Sequence, residues 1–430
     1  MNTVTLDREL VLLRDTLEQG VPRLYRATEG MFCNRVVLRE GFLVPEGHSL
    51  RHTTICLLGL AKLGDMELDL SPALQMVARY SDNNRVGDIG LMLWALAANK
   101  APATYDAVNI LVDYHRFYPW ESLADSGTTE LAWVLSGIVE ATLHGYDSPE
   151  LRVIGGRVAE ELISRQHDSG LFRGTSRLSR FRLVRRLLQQ DITNLSHQVF
   201  AIEALAKWSA LTGEPEWHTR AITCARVLAG LQGRLGQWPR AYHQAAGELA
   251  ELFPIYSVYQ HSLVPMALIS LGLEETELIA SLQLGLGWLF GRNEVGEQIC
   301  VPERGVIWRS VQPKSQSEPD ILDDQVSGME SDDWPGLYRN MLRSARPMLS
   351  RKLAVQRLMY SYELGWLAYA WEGMAQALKH RPQIPKANAN SSPDLANPVL
   401  QMMKAAGELY PDQSYRISAA EEALRTRDAA

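Results

Sequence analysis

Residues 88–98 read DIGLMLWALAA, and after a short NKAPA link residues 104–117 read TYDAVNILVDYHRF. The first segment opens on an acid and is then apolar nearly all round, the pattern of a helix buried on every side. The second is amphipathic, with a charged face that must meet water. Joined by so few residues, the two predict a helical hairpin with one inner and one outer member.

The same alternation recurs along the chain. Apolar segments with polar starts lie at residues 53–60, 88–98, 129–143, 196–209, 260–271 and 362–378. Amphipathic segments lie at 6–26, 71–80, 104–117, 150–166, 216–232 and 275–290. Ser71-Pro72 and Ser148-Pro149 mark helix starts, a capping side chain followed by proline in the first turn. Glu214-Pro215-Glu216 places acids at the positive end of another helix. Each hairpin leaves an apolar inner face bare, so neighbours must stack, and closing six of them into a ring removes the ends. The fold class expected is therefore all-α, an (α/α)6 toroid over residues 1–380. A linker and a short C-terminal helical tail are expected at 381–430, where Pro, Asn, Ser and Ala take over the composition. Short strands are expected only inside loops, at 35–38 and 305–308.

Composition narrows the function classes. The 430 residues are 46% apolar and 22% charged, close to the globular average, so a folded protein is expected. With 43 basic and 50 acidic side chains the net charge is -7, which argues against a nucleic-acid partner. Cys33, Cys56, Cys224 and Cys300 form no CxxC pair and no cluster with zinc spacing, so a disulfide framework is not expected and a reducing compartment fits; with no P-loop, HExxH or GxGxxG spacing either, no metal and no cofactor is expected. Asp7, Glu9 and Arg14 interrupt the N-terminal segment, which lacks the apolar core of a signal peptide. No run approaches the roughly 20 apolar residues that span a bilayer. A cytoplasmic protein without a transmembrane segment is expected.

The long connections all run from an outer to an inner helix, at residues 29–50, 168–195, 233–259 and 291–360. They emerge at the end of the ring where the inner helices start, and long loops on one face of a rigid scaffold usually build a site. This pattern resembles the six-hairpin glycosidase superfamily over residues 6–380. The resemblance also rests on the loop stretches QHDSGLF at 166–172 and LQGRLGQWP at 231–239. It implies an oligo- or polysaccharide partner and a funnel-shaped site at the inner-helix N-termini, without matching the catalytic motif of one subfamily.

Asp88 and Glu130 open consecutive inner helices, and Glu363 opens the sixth; with Glu303 they are the candidate acids and bases for glycoside cleavage. Helix capping is the plain alternative for each. His197 and His261 sit at equivalent places on the fourth and fifth inner helices, and with Tyr256, Tyr259 and Gln260 they could line a site or run proton transfers in a lyase or epimerase. Hydrogen bonding within the ring core is their alternative role. Trp238 and Trp308, with Tyr242, Trp334, Tyr338 and the FYPW run at 117–120, are candidates either to offer faces to sugar rings or to anchor loop packing, whereas Trp94, Trp133, Trp366 and Trp371 are expected in the inner-helix core. Arg51 and Arg309 are candidate substrate anchors. Arginines crowd residues 177–186 and 339–351, so an anionic glycan or contact with an anionic membrane surface would fit, unless they pair with the acids at 320–333. Three readings stay open: a hydrolase, a uronate lyase or epimerase, and a non-catalytic glycan-binding partner in polysaccharide assembly.

Overall fold

The computed structural model describes residues 3–64, 67–79, 85–118, 126–175, 192–250, 256–272, 276–313 and 353–379. The arginine-rich stretches, the acids at 320–333, Trp120, Trp334, Tyr338 and the expected tail lie outside them.

Six helices form the outer layer: α1 (Thr3–Arg23), α3 (Ser71–Arg79), α5 (Thr104–Phe117), α7 (Pro149–Ser164), α9 (Pro215–Gly230) and α11 (Thr276–Leu289). Six alternate with them as the inner layer: α2 (Leu50–Leu63), α4 (Val86–Ala98), α6 (Thr128–Leu143), α8 (Leu195–Thr212), α10 (Val258–Ser270) and α12 (Ser361–Lys379). Each inner helix packs on the next in chain order, and α12 packs back on α2, so the ring closes. The two layers differ as their sequences require: nearly every residue of α4 and α8 is buried, whereas α3 and α9 bury one stripe.

Glycine sets how close the inner helices come. A Cβ on Gly59 of α2 would stand 2.3 Å from the Gly365 carbonyl oxygen of α12. One on Gly137 of α6 would stand 2.5 Å from the Gly90 carbonyl oxygen of α4, and one on Gly87 would strike the Glu130 side chain at 2.7 Å. At these two seams the helices meet backbone to backbone. The middle of the ring is filled by aromatic rings from four helices: Trp94, Trp133, Phe200, Trp366 and Tyr369, with centroids 5.1–6.1 Å apart.

The outer-to-inner connections are more ordered than short strands inside loops. Strands β2 (Met31–Arg39) and β3 (Phe42–His48) form a long hairpin whose turn residues Glu40 and Gly41 both have positive φ, the geometry that matches strand twist. Strand β2 also pairs with β1 (Tyr25–Arg26) and with β12 (Leu358–Tyr360). Strands β4 (Ile192–Asn194), β5 (Ala241–His243) and β6 (Glu248–Leu249) form a second sheet. Strands β7 (Tyr256–Ser257), β10 (Ser310–Pro313) and β11 (Leu353–Gln356) form a third, and β8 (Cys300–Val301) pairs with β9 (Val306–Ile307). Three of these sheets join connections from different hairpins, so a collar runs around the end of the ring where the inner helices begin.

The two loop signatures do the same job. Gln166 donates to the Gly170 carbonyl within its own loop and to the Arg220 carbonyl of the next outer helix, at 2.9 and 2.8 Å. Gln232 donates to Gly236 and to Ser281, both at 3.0 Å. Each glutamine thus fastens an outer-helix end to its neighbour.

A glycine at a seam and one on the outer layer predict opposite effects for substitution by alanine. Gly59→Ala forces backbone apart and is expected to cost 3 kcal/mol or more, about the scale of a core overpacking at its worst. Gly156→Ala, on α7 with open space around its Cβ, is expected to stabilise by about 0.5–1 kcal/mol. Urea denaturation measures both, and a Gly59→Ala protein as stable as the parent would contradict the backbone contact.

Candidate functional site

The first turns of the inner helices converge inside the collar and bring their side chains together: Arg51 of α2, Asp88 of α4, Glu130 of α6, Ser196 of α8, Tyr259 of α10, and Tyr362 and Glu363 of α12. Arg51 donates to Asp88 Oδ1 from Nε at 3.1 Å and from Nη2 at 2.7 Å, and its guanidinium lies 5.7 Å from the Trp133 ring centre. Both partners are partly exposed, so the pair contributes little to stability, of order 0–1 kcal/mol. The Glu130 carboxylate accepts the backbone N–H of Gly127 at 2.7 Å, a capping contact at the start of α6.

Glu363 has a different setting. It is 1% exposed, and Arg309 Nε stands 3.5 Å from Oε1. The Tyr362 hydroxyl donates to the same oxygen at 3.4 Å, while Oε2 has no hydrogen-bond partner among the described residues. Burial raises the carboxyl to about 7, against the opposing pull of the Arg309 and Arg240 charges. Arg309 also lies 4.4 Å from the centre of the Tyr360 ring. The Tyr259 ring meets Tyr362 edge to face at 5.4 Å, and its hydroxyl is 3.0 Å from Ser196 Oγ. Burial raises Tyr259, and the charges of Arg240, Glu363 and Arg51 all act on it. Three carboxyls (Asp88, Glu130, Glu363), three arginines (Arg51, Arg240, Arg309) and three tyrosines (Tyr259, Tyr360, Tyr362) therefore share this region.

Other residues singled out from the sequence point elsewhere. His261 is 2% exposed; its Nδ1–H donates to the Gly285 carbonyl at 3.1 Å and its ring stacks on Trp288 at 4.1 Å, both on the outer helix α11. It fills the space between layers. His197 is buried in the first turn of α8 with Nδ1 3.0 Å from Thr193 Oγ1. Gln260 caps Ser257 and donates to the Trp238 carbonyl, and Trp238 packs beneath Gly285. Tyr256 is buried in the collar strand β7, and Trp308 is buried just after β9. Glu303 is exposed on a short turn, Pro302–Arg304, packed on α1. Phe117 and Tyr118 end α5 and are exposed.

Four residues of the region were not singled out: His52, Ser196, Arg240 and Tyr362. His52 holds the same third helical position in α2 that His197 holds in α8, a signal present in the sequence. Its ring lies 4.7 Å from Tyr362, and its Nδ1 is near the Ser361 hydroxyl and the Asn34 carbonyl. No three His, Cys, Asp or Glu side chains come together as a metal would need among the described residues. No described helix is long and apolar enough to cross a membrane.

No family model matches the chain, and no curated protein sequence does. Solved structures do. A sugar epimerase from a ruminal bacterium superposes with a TM-score of 0.57 at 12% identity, covering 87% of this chain and 99% of that one. The chain folds as an (α/α)6 toroid. A glycosidase superposes on it at 0.51 with 14% identity, over 87% and 99% of the two chains. A polysaccharide lyase does so at 0.50 with 11% identity, over 89% and 100%. At such identities the likeness is one of fold.

The histidines make a pH prediction. Burial lowers His52 to about 4 and His197 and His261 to about 3, so the fold holds them neutral where the unfolded chain takes up protons. Their full contribution is present above pH 6.5 and is lost as pH falls toward those values, by about 1.4 kcal/mol per pH unit per histidine. Unfolding midpoints in urea should drop steeply below pH 6.5, and His261→Gln should make that slope shallower. An unchanged slope in the variant would show that His261 carries no such linkage.

Proposed function

We propose that the protein processes an oligo- or polysaccharide in the funnel, with Glu363 as the general acid. The observation that supports this most is the Glu363 carboxyl: it is buried, raised to about 7, and has one oxygen without a hydrogen-bond partner among the described residues. A carboxylic acid still protonated near neutral pH is what protonation of a leaving glycosidic oxygen requires. Hydrolysis needs a second carboxyl across the scissile bond to activate water or to attack. Asp88, oriented by Arg51, fills that role in this reading, with Glu130 as the next candidate. Arg51, Arg240 and Arg309 favour a sugar carrying carboxylates, because guanidinium forks match that group. The neighbours named as a sugar epimerase, a glycosidase and a polysaccharide lyase support the substrate class. Elimination or epimerisation would run through Tyr259 rather than His261, whose ring faces α11. The four cysteines, all free and buried, support a cytoplasmic setting.

A second reading is a non-catalytic glycan-binding partner in polysaccharide assembly. It is favoured by the pairing of Asp88 and Glu363 with arginines at the inner-helix starts.

Purified protein incubated with neutral and uronate-containing oligosaccharides, followed by product mass and ultraviolet absorbance, separates these readings. Hydrolysis adds water and leaves no unsaturated sugar. Glu363→Gln is expected to lower kcat by at least about 100-fold with KM little changed. It should also remove the fall of kcat above pH 7 that deprotonation of Glu363 produces. Binding without turnover would select the second reading, and no saccharide binding at all would sink both.

A further inference from the structure

The end of the ring away from the collar carries an open groove. A cavity of about 490 Å³ lies where α2, α6, α8 and α10 end, against the later turns of α12. The charges on its floor are already paired. Lys207 is bonded to Glu203 and to the Tyr369 hydroxyl. Glu140 stands 4.0 Å from both Lys207 and Lys62, with His144 Nε2 at 3.4 Å. What remains open is aliphatic. Leu143 is 63% exposed at the rim, and Ala210, Leu211, Met266 and Ile269 continue the wall. Apolar surface gathered in one concavity marks an interaction site.

The chain itself carries a segment that fits. Helix α12 lines the cavity as far as Gly373 and ends at Lys379, six positions or about 9 Å further along its axis. Beyond that point, residues 397–411 read NPVLQMMKAAGELYP. Asn397 followed by Pro398 is a helix start, and Pro411 is a stop. Val399, Met402, Met403 and Ala406 fall at i, i+3, i+4 and i+7, the anchor spacing of a helix laid in a groove. So short a helix, of about 13 residues, is marginal in water and needs a surface to form on. Methionine, unbranched and polarisable, fills an irregular aliphatic wall well. The connection at 380–397 can span up to about 60 Å when extended, so reach sets no obstacle.

We propose that residues 398–410 dock as a helix in this groove. Val399, Met402, Met403 and Ala406 lie against the wall of Leu143, Leu211, Met266 and Ile269. The tether holds the segment at an effective concentration on the millimolar scale, so a modest intrinsic affinity keeps the groove covered. The groove shares no residue with the funnel, and the proposal does not depend on the saccharide reading.

Methionine oxidation reads the contact in the full chain. Dilute peroxide converts an accessible methionine to its sulfoxide, which peptide mass locates. Met402 and Met403 are expected to oxidise at least about tenfold more slowly in the protein than in a synthetic peptide of residues 396–412, as a covered groove requires. Leu143→Arg combined with Ala210→Arg should bring the rate up to that of the peptide. Both positions are exposed and lie in the last turn of their helices, where a basic side chain suits the dipole and leaves the fold intact. Protection in the parent should persist through about hundredfold dilution, since the contact is within one chain. Oxidation in the parent as fast as in the peptide would overturn the proposal. So would protection that the two arginines leave untouched, which would seat the segment elsewhere. Protection lost on dilution would assign the groove to the segment of a second copy, and would overturn it equally.

Discussion

Backbone contact between inner helices is the constraint from which the rest of the arrangement follows. Where Gly59 meets Gly365 and Gly90 meets Gly137, no side chain separates the helices. The first seam sets the start of α12 beside the start of α2, so Glu363 and Tyr362 share a wall with Arg51 and His52. The second sets Asp88 next to Glu130. Side chains of ordinary size at those crossings would widen the ring and separate the groups that now interact across it. Interiors packed at crystalline density do not absorb such a change locally.

The aromatic middle has a complementary role. It closes the ring axis with apolar surface and leaves polar chemistry at each end. At the collar end the charges are arginine–carboxylate pairs, Arg51–Asp88 between two helices and Arg309–Glu363 between the collar and α12. At the other, Lys207, Glu203, Glu140 and Tyr369 form one network in which the half-buried ammonium is held charged by its neighbours. The fully buried Glu203 carboxylate is tolerated because Lys207 and Ser136 hold it, and removing either partner leaves it costly. Both ends are therefore intolerant of change for different reasons: one because its pairs join separate elements of the ring, the other because its members form a single network.

Much of the architecture could be read from residue order. The expected segment at 104–117 coincides with α5, and the apolar run at 196–209 lies inside α8, because periodicity reports burial directly. The first inner helix begins at Leu50 rather than Thr53, since Ser49 caps it and the sequence gives Arg51 and His52 no apolar mark. Which way a first-turn residue faces was not legible. One position rotates a side chain by about 100° around the helix, so Tyr259 looks into the funnel while His261 looks at α11. Pairings between distant segments were equally hidden. Arg309 meets Glu363 across 54 positions, and β2 meets β12 across more than 300. Local patterns carry no record of such partners, which is why the collar was expected only as scattered short strands.

Those long-range pairings have a consequence for how the protein comes into being. Ser361 donates to the carbonyl of Cys33, 328 positions earlier, Arg292 pairs with Glu9, and the Trp371 indole donates to Leu10. The first hairpin therefore waits for the last. At a ribosomal pace of about 5–20 residues per second, its partners emerge on the order of tens of seconds after it does. Until then the apolar flank of α2 and the edge of β2 have nothing native to cover them. The nascent chain must spend that interval with an adhesive surface on display, a window in which chaperones or slow translation would decide its fate.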